Sequence, residues 1–149
     1  MPQASEIQIL LVEDTPEDAE LMLRALKKGH LTNHCHHVED GAAALDFLFR
    51  EGEYANRADE NPKVVLLDLK LPKVDGIEVL RRIKQDERTK SIPVVVLTSS
   101  RESKDLKAAY QIGVNSYIVK PVDFEQFTDS VLKLGHYWKV LNVIPDEAK

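Results

Sequence analysis

A doubly wound α/β fold built on a parallel sheet is predicted by three observations. Short runs rich in β-branched residues alternate with helical patterns along the chain, the signature of successive βα units. Four of those runs end in polar residues of different kinds: Ile9-Leu10-Leu11-Val12 gives way to Glu13-Asp14, Val64-Val65-Leu66-Leu67 to Asp68, Val94-Val95-Val96-Leu97 to Thr98, and Tyr117-Ile118-Val119 to Lys120-Pro121. The length, 149 residues, suits one compact domain with a substantial core.

The elements follow in order. After the first strand, Thr15-Pro16-Glu17-Asp18 offers an N-cap hydroxyl, a proline at the first helical position and early acids that suit the helix dipole. Ala19, Met22, Leu23 and Leu26 recur at helical spacing, and Gly29 supplies a stop. A weaker strand is expected around Cys35 to Val38, then a helix opening near Asp40-Gly41 and packing through Ala44, Leu45 and Leu48. Arg50 to Pro62, rich in charge and holding Gly52, Asn56 and Asn61, reads as a long surface loop. Strand three ends at Asp68, and helix three starts after Asp75-Gly76 with Ile77, Leu80 and Ile83 on one face. Strand four runs from about Val94 to Thr98, helix four carries Leu106, Ala109 and Tyr110, and strand five is about Ser116 to Val119. A last helix from about Asp123 aligns Phe124, Phe127, Val131, Leu134 and Trp138 on one stripe. Five strands and five helices in strict alternation, with right-handed crossovers, give a flavodoxin-like five-stranded parallel sheet of order 2-1-3-4-5.

Composition narrows the function classes. The formal net charge of -5 lacks the basic footprint that nucleic-acid binding needs, so no nucleic-acid partner is expected. Cys35 is the only cysteine, which excludes an internal disulfide and suits a reducing compartment. The N-terminal Met-Pro-Gln-Ala-Ser-Glu has no basic segment followed by an apolar one, and no apolar stretch is long enough to span a bilayer. A cytoplasmic protein without a membrane partner is the expectation.

In an open parallel sheet the carboxyl ends of the strands share one edge, where ligands bind. That edge would gather three acids able to hold a divalent cation (Glu13, Asp14, Asp68), the Thr98 hydroxyl and the Lys120 ammonium, which is equipment for a phosphoryl group. Each residue alone has a plainer reading. Glu13-Asp14 caps the next helix, Asp68 is a solvated turn acid, Thr98-Ser99-Ser100 is a capping cluster, Tyr117 is a half-buried strand aromatic, and Lys120 is a surface lysine. Their shared edge favours the joint reading over independent accidents. His34, Cys35, His36 and His37 invite a metal site, but strand alternation puts His34 and His36 on one face and Cys35 and His37 on the other, so neither face gathers a full ligand set.

The acid pair, the segment Asp68-Leu69-Lys70-Leu71-Pro72-Lys73-Val74-Asp75-Gly76, Leu97-Thr98-Ser99-Ser100 and Lys120-Pro121 together resemble the receiver domain of two-component response regulators, from about Ile7 to Gly135. The resemblance implies a receiver over residues 1–149, with core about 7–135 and residues 136–149 as an extension of the last helix and tail. It implies that Asp68 accepts a phosphoryl group from a sensor histidine kinase with bound Mg²⁺. Asp14, Asp68 and the backbone carbonyl of Lys70 would be direct metal ligands, and Glu13 would act through water. Thr98 would be the switch hydroxyl and Tyr117 the switch aromatic. A cis Lys120-Pro121 peptide would aim the lysine into the site. Lys70, two places beyond the acceptor, is expected to bring its ammonium near the phosphoryl group and alter its lifetime; an unchanged lifetime in Lys70→Ala would dismiss this.

The loop before strand three and the Trp-bearing last helix look like the single-domain regulators paired with phytochromes, which implies a light-regulated kinase as donor. Only a helix and a short tail follow Lys120, so output through a protein surface is expected rather than through an appended DNA-binding or enzymatic domain. The apolar stripe Phe124, Phe127, Val131, Leu134, Trp138, Leu141 continues past the length needed to cover the sheet; its first part reads as core, and Trp138, Leu141, Val143 and Ile144 as surplus to it, which predicts a homodimer through helix four, strand five and the last helix, with Phe127, Val131, Trp138 and Leu141 at the interface, against a tail folded back on its own domain. Two other functions are weighed. A Mg²⁺-dependent aspartyl-phosphate phosphohydrolase would want a second acid two residues after the nucleophile, where Lys70 stands; an unphosphorylated interaction module would be expected to lack the acid pair, the acceptor or the lysine. The expectation is therefore a switch rather than a metabolic enzyme.

Overall fold

Three strands are buried on both faces, as the inner strands of a parallel sheet are, and every residue in them except Thr98 is apolar. In the computed structural model, which describes residues 9–28, 35–58, 60–119 and Asp129, these are β1 (Ile9–Val12), β3 (Val64–Leu67) and β4 (Val94–Thr98), with β2 (Cys35–Val38) and β5 (Ser116–Val119) at the edges. All pairings are parallel and the order is β2-β1-β3-β4-β5, as expected from the alternation of elements. The edge strands are only partly buried, apart from Val38. Between the strands run α1 (Pro16–Lys28), α2 (Gly41–Phe49), α3 (Gly76–Gln85) and α4 (Ser103–Ile112). The expected fifth helix, with Phe124, Phe127, Val131, Leu134, Trp138 and Leu141, lies outside the described residues apart from Asp129, as do Gly29, His34, Lys120 and Pro121 with their shared peptide bond. None of the described helices is long and apolar enough to cross a membrane.

The period-two alternation of strand side chains divides the core. Leu10, Val12, Val65, Leu67, Val94 and Val96 face one way and pack with Phe47 and Leu48 of α2, Leu80 and Ile83 of α3 and Ala109 of α4. Ile9, Leu11, Val64, Leu66, Val95 and Leu97 face the other way and pack with Met22 and Leu26 of α1. Each such side chain contributes roughly 1.5–3 kcal/mol on full burial, so the central strands dominate the fold's stability. The same pairing sets the functional edge. Val12 lies beside Leu67, and Leu67 beside Val96, so the first residues beyond β1 and β3 emerge side by side.

Helix boundaries follow local chemistry. Pro16 opens α1, and the Thr15 carbonyl accepts from the Ala19 amide at 2.9 Å. Asp40 caps α2 through a 2.7 Å bond from the Ala43 amide. Helix four differs from the expected apolar face: Ala109 is buried, whereas Leu106 and Tyr110 are 39% and 54% exposed.

The segment read as a long loop before β3 is structured at its start. A short 3-10 turn, Gly52–Tyr54, follows α2. His36 stacks on Phe47 with centroids 4.5 Å apart, and its Nε2 lies 2.9 Å from the Tyr54 hydroxyl. The Arg57 guanidinium sits 4.2 Å from the Phe47 ring centroid, and its Nε donates to the Phe47 carbonyl at 2.9 Å. These contacts pin the segment to α2 and β2.

Candidate functional site

Glu13 and Asp14 leave β1 just as Asp68 leaves β3, and the backbone ties the two strand ends together: the Asp68 amide donates to the Val12 carbonyl at 3.1 Å. Carboxylate oxygens of Glu13, Asp14 and Asp68 lie within 4.8 Å of one another. Glu13 is fully buried, Asp68 is buried and Asp14 is half-buried. Burying like charges together costs free energy unless a cation or hydrogen-bond donors offset it. Two donors are backbone amides. Thr15 N–H donates to Glu13 Oε2 at 3.2 Å, and Lys70 N–H donates to Asp68 Oδ1 at 3.3 Å. The plainer reading of the acid pair is thus partly realised, because Glu13 braces the turn into α1 while it faces the other acids. An all-oxygen anionic donor set fits a hard divalent cation such as Mg²⁺ or Ca²⁺ better than a softer metal.

Backbone packing sets the floor of this site. The Gly76 amide at the start of α3 donates to the Leu69 carbonyl at 3.0 Å. A Cβ on Gly76 would stand 2.5 Å from both the Asp68 carbonyl oxygen and Leu69 Cα, so the helix approaches this close only because residue 76 has no side chain.

Thr98 is fully buried at the end of β4, where its Oγ1 accepts a 3.3 Å bond from Ser100 N–H. Tyr117, from β5, donates its hydroxyl to the Ser100 carbonyl at 3.0 Å. The Ser100 hydroxyl in turn donates to Asp105 Oδ2 at 2.6 Å, and the Lys70 ammonium lies 3.6 Å from the same oxygen. Lys70 was expected to extend toward the acceptor, whereas its ammonium pairs with the first turn of α4. The loops after β3 and β4 are therefore joined through Asp105. Ser100 and Asp105 were not singled out as a pair by sequence; a capping reading of Thr98-Ser99-Ser100 was the nearest signal. Lys120, the expected cation of the site, lies outside the described residues.

Cys35 and His36 lie on opposite faces of β2, as the strand alternation predicts. His36 belongs to the Phe47–Tyr54 cluster, and Cys35 packs against the apolar layer beneath α1, where burial pushes its thiol up to about 12. His37 reaches instead toward the acid pair, with its Nε2 2.8 Å from the Glu13 carbonyl oxygen. Among the described residues, Glu13, Asp14 and Asp68 form the one group of three or more His, Cys, Asp or Glu placed to hold a metal.

Comparison with known proteins agrees with this arrangement. Residues 9–132 match the response regulator receiver domain. The chain is 47% identical over 140 residues to the probable methanogenesis regulatory protein FilR2 of Methanothrix harundinacea, covering 94% of this chain and 88% of that protein. Response regulator Rcp1 of Synechocystis is 40% identical over 137 residues, 92% of each chain. The solved Mn²⁺-bound form of Rcp1 aligns with a TM-score of 0.84 at 39% identity, covering 94% of this chain and 99% of that one. The phosphorylated cyanobacterial phytochrome response regulator RcpA aligns with a TM-score of 0.86 at 39% identity, covering 95% of this chain and 99% of that one. A match running from β1 past β5, on a sheet of this order with the acid triad at its edge, makes this chain a member of the response regulator receiver domain family.

Proposed function

We propose that this receiver takes a phosphoryl group on Asp68 from the phosphohistidine of a sensor histidine kinase. Asp14, Asp68 and the Lys70 backbone carbonyl hold Mg²⁺ directly, and Glu13 holds it through water. The observation that carries the reading is the buried Asp68 carboxylate at the end of β3, clustered with Glu13 and Asp14 on the edge where Thr98 also ends its strand. An Asp68 Oδ attacks phosphorus in line with the leaving imidazole. The P–N bond breaks, its electron pair stays on the ring nitrogen, and an acyl phosphate remains. When bound, Mg²⁺ neutralises charge on the phosphoryl oxygens. Lys120 adds a point charge and Thr98 a hydroxyl donor to the same oxygens. Receiver domains are phosphoacceptor switches rather than metabolic enzymes, and the position two beyond Asp68 holds a lysine where a phosphohydrolase would want an acid.

Output then follows from a two-state bias. Phosphorylation draws Thr98 toward the phosphoryl group, Tyr117 leaves the Ser100 carbonyl and fills the vacated space, and the surface of α4 and β5 changes shape. The Ser100 N–H bond to Thr98 Oγ1 must rearrange for the Thr98 side chain to move, and the Tyr117 O–H bond to the Ser100 carbonyl ties Tyr117 to the same loop, which supports this coupling. Exposed Leu106 and Tyr110 support the homodimer reading through α4, β5 and the last helix, in which Phe127, Val131, Trp138 and Leu141 complete the interface. Sedimentation at micromolar concentration should show a dimer that Tyr110→Glu converts to monomer; a wild-type monomer with and without beryllofluoride would rule the dimer out.

The similarity to RcpA, whose name ties it to a cyanobacterial phytochrome, supports a phytochrome-type kinase as donor. FilR2 is a methanogenesis regulator by name, so the scaffold alone does not specify the input signal. Transfer profiling from autophosphorylated kinases tests both levels. Label passing to this chain fastest from a phytochrome kinase supports the full reading, equal transfer from all donors removes the phytochrome part, and transfer from none removes the histidine-kinase part.

A further inference from the structure

We propose that His37 on β2 is a positioning residue for the cation site, holding the Glu13-Asp14 turn in the geometry that brings the acids together. This rests on the reading of Glu13, Asp14 and Asp68 as that site. The Glu13 carbonyl has lone pairs and no hydrogen, so at 2.8 Å it is His37 Nε2 that donates. The other half of the Glu13 backbone is held from the same strand, since Glu13 N–H donates to the Val38 carbonyl at 3.1 Å. The β1–β2 pairing ends at Val12 and Val38, and the His37 side chain extends it to the next carbonyl. That carbonyl belongs to the rigid peptide plane joining residues 13 and 14, so holding it restrains the backbone from which both side chains depart.

Such a clamp has work to do here. Carboxylate oxygens within 4.8 Å repel one another, and rotation of the 13–14 peptide is one motion that would let Glu13 and Asp14 swing away from Asp68. The Thr15 amide restrains the Glu13 carboxylate from the helix side, and the imidazole restrains its backbone from the sheet side. With both in place the acids are ordered before a cation arrives. Without the imidazole, part of the binding free energy goes into ordering them. Groups that orient metal ligands from behind change affinity about 10–100-fold when removed, and a bond to the ligand's backbone belongs at the low end of that range.

The experiment is Mn²⁺ titration of the full chain by isothermal calorimetry, with Asp14→Asn as the ligand-loss control and thermal melting in chelator as the check on folding. His37→Phe keeps a ring without the donor and should weaken Mn²⁺ binding about tenfold. His37→Gln, whose side-chain amide offers an N–H at similar reach, should stay within about twofold of wild type. Should the phenylalanine variant fail to fold, His37→Leu at this partly exposed edge position makes the same comparison. Wild-type affinity in the donor-less variant overturns the proposal, as does a glutamine variant as weak as phenylalanine, which would show that ring packing matters and the hydrogen bond does not. Absence of saturable Mn²⁺ binding in the wild-type chain is a separate result: it removes the cation site itself and the positioning role with it.

Discussion

Asp68→Asn is expected to abolish phosphoryl uptake while leaving the fold intact. With acetyl phosphate and Mg²⁺, intact-mass analysis should show one added phosphoryl group on the wild-type chain and none on the variant. The amide is nearly isosteric with the carboxylate and its oxygen can still accept from Lys70 N–H, so the loop after β3 keeps that bond. What it lacks is an anionic oxygen to attack phosphorus, which removes the covalent step rather than slowing it. Removing one of three clustered negative charges should also relieve repulsion. The variant is expected to be as stable as the wild type or more so, by up to about 1 kcal/mol in metal-free buffer, consistent with a surplus of like charge in the cluster. Equal adduct on wild type and variant would mean that another residue is the acceptor.

A large loss of stability at the site itself is expected from Gly76→Ala. Elsewhere in a helix, alanine for glycine is favourable by roughly 0.5–1 kcal/mol. Here the added methyl would meet backbone on two sides, the Asp68 carbonyl oxygen and Leu69 Cα, each at 2.5 Å. Backbone in a sheet-to-helix junction cannot rotate away as a side chain can, so either α3 retreats or the loop after β3 shifts. A net loss of about 3 kcal/mol in urea unfolding is expected, the upper end of ordinary overpacking costs. The shift would fall on the residue that carries the acceptor, so Mn²⁺ affinity should drop in the same variant. A variant within about 0.5 kcal/mol of wild type would show that the junction yields easily.

How much of this was legible in the sequence depends on the range of the interaction. β1, β3 and β4 announce themselves because burial on both faces demands uninterrupted apolar runs, and the strand order follows from crossover rules. Glu13, Asp14 and Asp68 were legible because each ends such a run. Helix four was misleading for a geometric reason. At about 100° per residue, Leu106 and Tyr110 lie roughly 60° and 100° around the helix from Ala109. Apolar spacing names a stripe but not its centre, and the buried line runs through Ala109, leaving the other two on its rim. The anchoring of Tyr54 and Arg57 on Phe47 was hidden because it joins residues through the tertiary fold within a stretch whose composition resembles a loop. The bonds of His37 to the Glu13 carbonyl and of Lys70 to Asp105 were hidden similarly, because each joins residues from different segments and leaves no local spacing to read, whereas the Ser100–Asp105 bond is local and only the capping pattern of Thr98-Ser99-Ser100 hinted at it.

The most direct test of Asp68 as the acceptor is borohydride trapping of the acyl phosphate. The chain is incubated with phosphodonor and Mg²⁺, reduced, digested and mapped by peptide mass. An aspartyl phosphate is reduced to homoserine, and the predicted result is homoserine at position 68, dependent on Mg²⁺ and on the donor. Homoserine at another aspartate, or an unreduced position 68 in a folded chain that carries a phosphoryl adduct, would contradict it.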